Sequence, residues 1–95
     1  MANETIIEEL YATLAARRTA DPATSYTARL LAAGEDEIVK KVGEEAVEVI
    51  LAAKGQGDER LISETADLIY HLLVLLVSRD LGWGEVLQEL ARRRG

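Results

Sequence analysis

The sequence predicts an all-α fold, a bundle of about five helices around a central antiparallel helical hairpin, assembled as an intertwined dimer. Three observations carry the all-α expectation. Apolar residues recur at helical spacing in five separate stretches, and a single proline interrupts the 95 residues. No stretch shows the alternating β-branched and aromatic residues, broken by frequent turns, that a sandwich or barrel requires. With 48% hydrophobic and 29% charged residues, the composition is that of an ordered globular chain. A chain of this length hides roughly two-thirds of its unfolded surface on folding, so residues 1–95 read as one domain.

The first helix is expected from about Asn3 to Arg18, with Ile6, Ile7, Leu10 and Leu14 on one face and Thr5 and Glu8 placed for a capping box. Asp21-Pro22 breaks the pattern. A short helix from about Ser25 to Ala33 follows, with Gly34 where a left-handed C-cap belongs. The third helix spans about Glu35 to Lys54, opening on acids and closing on a lysine as its dipole favours. Gly55-Gln56-Gly57 is the turn, and the fourth helix runs from about Asp58 to Arg79. Asp80-Leu81-Gly82 interrupts, and a fifth short helix starts near Trp83, which packs it on the core, and ends in Arg92, Arg93 and Arg94. Leu61, Ile62, Leu68, Ile69 and the run at 72–77 cover nearly the whole circumference of the fourth helix. A helix apolar all round is central in its fold, and so short a chain has few elements to surround it. A second copy, sharing a core through the fourth helices, is the expected remedy.

Seventeen acids against eleven bases leave a net charge of −6. That field repels nucleic acid and anionic membrane as partners, so a phosphate ligand would need a cation between it and the chain. The absence of cysteine excludes disulfides, thiolate zinc sites and thiol catalysis, and fits a reducing compartment. The opening MANETIIEEL lacks the basic and apolar regions of a secretion signal. The most apolar stretch, Leu68 to Val77, is too short to span a bilayer. A soluble cytoplasmic protein is the expectation.

The chemistry is concentrated in five acids. Glu44, Glu45 and Glu48 lie on the third helix, Glu64 and Asp67 on the fourth, and spacings of three and four put each group on one face. The glutamates border an apolar stripe of Val42, Ala46, Val49 and Ala53. In a hairpin centred on Gln56, residues equally distant from the turn sit at one height, so Glu48 faces Glu64 and Glu45 faces Asp67. Carboxylates packed so closely repel one another. Hard divalent cations relieve that repulsion, and an all-oxygen donor set favours Mg²⁺ or Mn²⁺ over zinc. A glutamate outside the metal's grip would deprotonate the attacking water while the cation offsets charge on a leaving pyrophosphate. Acidic helix faces are more commonly just solvated; the matched height across the hairpin favours the metal.

Glu44-Glu45-x-x-Glu48, followed after fifteen residues by Glu64-x-x-Asp67, resembles the metal motif of the MazG-like all-α nucleoside triphosphate pyrophosphatases. Within that superfamily, Ser25-Tyr26-Thr27-Ala28-Arg29-Leu30-Leu31, Gly34, Lys40-Lys41-Val42-Gly43 and the run Glu64 to Leu72 resemble the phosphoribosyl-ATP pyrophosphatase family of histidine biosynthesis. The resemblance implies Mg²⁺-dependent hydrolysis of 1-(5-phosphoribosyl)-ATP to 1-(5-phosphoribosyl)-AMP and pyrophosphate, in the cytoplasm, by a homodimer. Some relatives carry a fused cyclohydrolase domain. This chain is too short for one, so the next pathway step is expected on a separate polypeptide.

Glu44, Glu45, Glu48, Glu64 and Asp67 are therefore the expected metal set, with one of the three glutamates as water activator. Lys41, Lys40, Arg29 and Tyr26 are expected to bind substrate, Lys41 ahead of Lys40 because it shares the acidic sector. Their bland alternatives are surface ion pairs with Glu37 or Glu45 and packing under a loop. His71 is expected to be a satisfied core residue outside the catalytic set, and Gly43 to allow close packing or substrate approach. Two other functions remain open at this level: a MazG-like housecleaning pyrophosphatase of (deoxy)nucleoside triphosphates, and a non-catalytic helical dimerisation module.

Overall fold

The structure, a computed structural model, describes residues 2–94, without the side chains of Ala2 and Glu4. A 3₁₀ turn (Ala2–Thr5) leads into α1 (Ile6–Ala16), and a second (Arg17–Thr19) follows it; then come α2 (Tyr26–Ala33), α3 (Glu35–Gly55), α4 (Asp58–Ser78) and α5 (Trp83–Arg93). There is no strand among the described residues. The fold class and the five helices are as the periodicity predicts.

Local chemistry sets the boundaries. The expected Thr5–Glu8 capping box does not form. Thr5 leaves a 3₁₀ turn at φ −108°, ψ 11°, and its hydroxyl donates instead to Glu9 Oε2 at 2.7 Å. Asp21 Oδ1 accepts from Ala23 N at 2.9 Å, turning the chain at the proline as expected. The Ser25 hydroxyl accepts from Ala28 N at 3.1 Å, so Ser25 is an N-cap and α2 proper begins at Tyr26. Gly34 has the expected positive φ, but with φ 104° and ψ 173° it lies in a region that is essentially glycine-only, outside the left-handed helical well. It closes α2 and opens α3 in one residue, since Ile38 N donates to its carbonyl at 3.2 Å. Gly57, at φ 91° and ψ 164°, starts α4 in the same way.

The core is Leu14, Leu30, Ile38, Leu73, Val74 and Val77, with Trp83 packed against it as expected. Helix α4 is central and touches α1, α2 and above all α3. Its length and composition alone would suit a membrane span, a longer apolar element than the ten-residue run suggested; here Leu73, Val74 and Val77 are fully buried in the chain's own core. At its C-terminal end, Arg18 donates to the Val77 carbonyl and pairs with Asp80 at 2.6 Å. The Tyr11 hydroxyl donates to the Leu81 carbonyl at 2.7 Å. The apolar surface of the hairpin is not all covered within one chain: Ile62 is 70% exposed and Ile50 59%, with Val47 and Leu51 also open to solvent.

The inward edge of α3 differs by one position from the stripe read in the sequence. Ile38 and Ala52 are buried and Val42, Glu45 and Val49 half-buried between them, whereas Ala53 is exposed. The seam thus repeats as a heptad, alternating steps of four and three, and passes through Glu45. Leu61, Glu64, Leu68, His71 and Leu75 form the matching seam of α4. Two carboxylates and an imidazole therefore lie within the helix–helix contact.

Candidate active site

Glu45, Glu64 and Asp67 each offer a carboxylate oxygen within 4.8 Å of the other two. Glu64 is the deepest, its side chain 7% exposed, Glu45 is half-buried and Asp67 opens to solvent. Three carboxylate oxygens at that spacing suit a hard divalent cation, which takes oxygen ligands and tolerates retained water. Of the five expected metal ligands, these three are brought together across the α3–α4 pairing. Glu44 and Glu48 stand apart from the group. Glu44 is exposed and pairs with Lys41, whereas Glu48 is half-buried one turn beyond Glu45.

Positive charge is threaded through the same face. Lys41 Nζ lies 3.4 Å from Glu44 Oε1 and 3.8 Å from Glu45 Oε2. Arg60 Nη2 lies 3.1 Å from Glu64 Oε2. Arg60 went unremarked in the sequence, although its position four residues before Glu64 is the signal for such a pair. Opposite signs at these distances reduce the carboxylates' mutual repulsion.

Beside Glu45, α2 and α3 enclose a cleft of about 310 Å³ lined by Tyr26, Arg29, Leu30, Ala33, Glu37 and Lys41. Three of the four expected substrate-binding residues line it; Lys40 is exposed and does not. Arg29 is steered by its donation to the Pro22 carbonyl at 3.1 Å, with its guanidinium carbon 5.7 Å from the centre of the Tyr26 ring. Burial pushes the Tyr26 hydroxyl above the usual tyrosine value, partly opposed by the Lys41 charge. Desolvation pulls Lys41 down, but the charge Tyr26 can acquire and the carboxylates of Glu44 and Glu45 outweigh it and hold the ammonium above its ordinary value.

His71 is buried and satisfied, as expected: Nδ1 lies 2.7 Å from the Asp67 carbonyl and Nε2 2.8 Å from the Tyr26 hydroxyl. Tyr70, not singled out in the sequence, hydrogen-bonds the Thr27 hydroxyl and stands edge-on to His71. A larger cleft of about 360 Å³ opens between α4 and α5, but apart from Glu85, Glu89 and Arg93 its lining is apolar or glycine. Glu89 there is already paired with Arg93 at 2.8 Å.

A cleft bearing Arg29 and Lys41 thus opens beside a carboxylate triad. Residues 7–94 match the family described as phosphoribosyl-ATP pyrophosphohydrolase. The chain belongs to that family. It is 54% identical over 94 residues to the phosphoribosyl-ATP pyrophosphatase of Trichlorobacter lovleyi, covering 99% of this chain and 87% of the relative. It is 52% identical to the enzyme of that name from Pelotomaculum thermopropionicum, covering 99% and 96%. Identity to the one from Novosphingobium aromaticivorans is 48%, over 100% and 89%. As a phosphoribosyl-ATP pyrophosphohydrolase family member the chain is an enzyme, a hydrolase of a phosphoanhydride bond. The residue blocks singled out in the sequence had pointed to the same family.

Proposed function

We propose that the chain hydrolyses 1-(5-phosphoribosyl)-ATP between its α and β phosphates, releasing 1-(5-phosphoribosyl)-AMP and pyrophosphate, and that it depends on Mg²⁺, with Mn²⁺ as a substitute. The observation that carries this reading is the 3.8 Å approach of Lys41, which lines the cleft, to Glu45 of the carboxylate triad. One side chain thus touches both a place for phosphate and a place for a cation.

Glu45, Glu64 and Asp67 would hold the cation, with Glu48 and Glu44 completing the set from α3. The bound ion would neutralise the carboxylates and offset charge on the departing pyrophosphate. Lys41 and Arg29 would bind phosphate oxygens, and Tyr26 would form the wall of the cleft. Glu48 is the better placed water activator, because Glu44 already pairs with Lys41. It would take the proton as the water oxygen bonds to the α phosphorus and the bond to the bridging oxygen breaks.

The exposed apolar residues of α3 and α4 support a homodimer in solution, and the enzyme class supports a cytoplasmic location. Light scattering on the eluting protein checks the first: a mass of twice the chain is expected. Pyrophosphate release tests the whole reading, with Mg²⁺ present and phosphoribosyl-ATP offered beside ordinary and deoxynucleoside triphosphates. Strong preference for phosphoribosyl-ATP, abolished by chelator, is the expected result. Preference for a deoxynucleotide would move the chain to housecleaning, and silence on every substrate would leave a binding module.

A further inference from the structure

With a neutral imidazole, hydrogen-bond chemistry gives the contact between Tyr26 and His71 a direction. A backbone carbonyl only accepts, so His71 Nδ1, at 2.7 Å from the Asp67 oxygen, must carry a proton. In the neutral imidazole the other nitrogen then has none. Nε2, 2.8 Å from the Tyr26 oxygen, therefore accepts, and the Tyr26 hydroxyl donates its only proton inward. What remains on that oxygen is lone-pair density, on a residue that lines the cleft beside Lys41. Burial raises the phenol above its ordinary value, so the donor is present at neutral pH.

We infer that His71 is a positioning residue for the cleft: by accepting the Tyr26 proton it fixes the Tyr26 ring in the cleft wall and leaves the Tyr26 oxygen a hydrogen-bond acceptor only, which presents no donor to phosphate. Tyr26 then serves the substrate through its ring as a fixed wall of the cleft, and the phosphate is bound by Arg29 and Lys41. The chain of contacts also ties the cleft to the turn of α4 that bears Asp67. His71 spans those two parts because it sits on the buried seam of α4, one turn beyond Asp67.

This inference rests on the cleft being the substrate site, and the test separates the two. His71 is the chain's single histidine, so nitrogen–proton correlation spectra of the labelled protein report it without assignment. At neutral pH Nδ1 should be protonated and Nε2 bare, and Tyr26→Phe should move the Nε2 resonance while leaving Nδ1 in place. In kinetics, Tyr26→Phe and His71→Leu should each raise KM for phosphoribosyl-ATP about tenfold, as for one lost hydrogen bond, with kcat within about threefold. The double variant should be no worse than either single one, since both break one link. His71→Gln, whose side-chain oxygen can accept in place of Nε2, should recover most of the loss. A purely structural His71 would instead lower the melting temperature of His71→Leu and leave KM of the folded enzyme unmoved. A protonated Nε2, or an unmoved KM with an active wild type, overturns this inference alone. A wild type that turns over nothing overturns the substrate reading and this inference with it.

Discussion

Arg60 holds the most buried carboxylate of the site: its Nη2 lies 3.1 Å from Glu64 Oε2, four residues away along α4. Glu64 is 7% exposed and Arg60 54%, so the arginine reaches in from solvent and is free to withdraw. It occupies the place of a counter-charge that a cation would also fill. Arg60→Ala should therefore destabilise the metal-free protein by about 1 kcal/mol, the value of a partly exposed pair on a buried acid. For a chain this size that is a fall of roughly 4–8 °C in melting temperature. Saturating Mg²⁺ should erase most of the difference, and titration calorimetry should find Mg²⁺ bound more tightly than by the wild type. A variant melting like wild type in chelator would show that the bridge carries no weight.

Removing an acid should act in the opposite sense. Glu45→Gln and Asp67→Asn take one charge from a set that repels itself, so in chelator they should melt no lower than wild type. Pyrophosphate release should fall by at least about 100-fold in each, as expected for loss of a metal-binding group. Glu48→Ala should also lose most activity. Were it untouched, Glu48 would leave both the metal set and the proton-transfer role.

High pH should weaken the fold through the cleft. Tyr26 and Lys41 both have folded-state values raised above their ordinary 10.0 and 10.5. Each therefore contributes stability that is fully present below its unfolded value and lost as pH rises through the folded one. Denaturant midpoints should be flat from neutrality to about pH 9.5 and then decline. Tyrosinate absorbance, taken as the difference from Tyr26→Phe, should show Tyr26 ionising above the usual value. Lys41→Ala should push it higher still, because the lysine's charge favours the phenolate.

The two glycines that open α3 and α4 should resist substitution although space is plentiful. A Cβ at Gly34 or Gly57 would meet nothing within 4 Å, so the cost is conformational, roughly 1–3 kcal/mol for Gly34→Ala or Gly57→Ala. Gly43 is also open to 4 Å but lies inside α3 without positive φ. Gly43→Ala should stabilise the chain by about 1 kcal/mol. If it destabilises instead, a second chain lies against that face.

Most of this molecule is legible in its sequence, for identifiable reasons. Helices announce themselves through periodicity and punctuation, and Gly34, Asp21-Pro22 and Gly55-Gln56-Gly57 stand at real boundaries. The acids were found because equal distance from Gln56 puts Glu45 level with Asp67. The register of the seam was missed, because alanine, valine and glutamate fit either side of it equally well. A pattern that places polar residues off the core cannot anticipate Glu45 and Glu64 within it; only the packing of α4 decides that. Lys41 and Lys40 are neighbours in sequence, and helical angle places only Lys41 in the lining of the cleft. The Tyr26–His71 contact joins residues 45 apart, and no local rule reaches so far.

That separation bears on the order in which the site is built. Loop closure costs more as the loop lengthens, and contacts local in sequence form fastest. The three carboxylates lie on consecutive helices joined by Gln56 and Gly57 alone, so the α3–α4 pairing assembles them in an early, local event. The walls of the cleft are nearly as local, since α2 and α3 meet at Gly34 alone, but the Tyr26–His71 link that ties the cleft to α4 is a 45-residue closure, and the N-terminal helix locks on through a 70-residue one from Tyr11 to Leu81. Lys41 and Arg60 ride on the same two helices as the acids. The chain thus meets its worst electrostatic moment with the neutralising charges already aboard, and adds the contacts that fix the cleft against α4 afterwards.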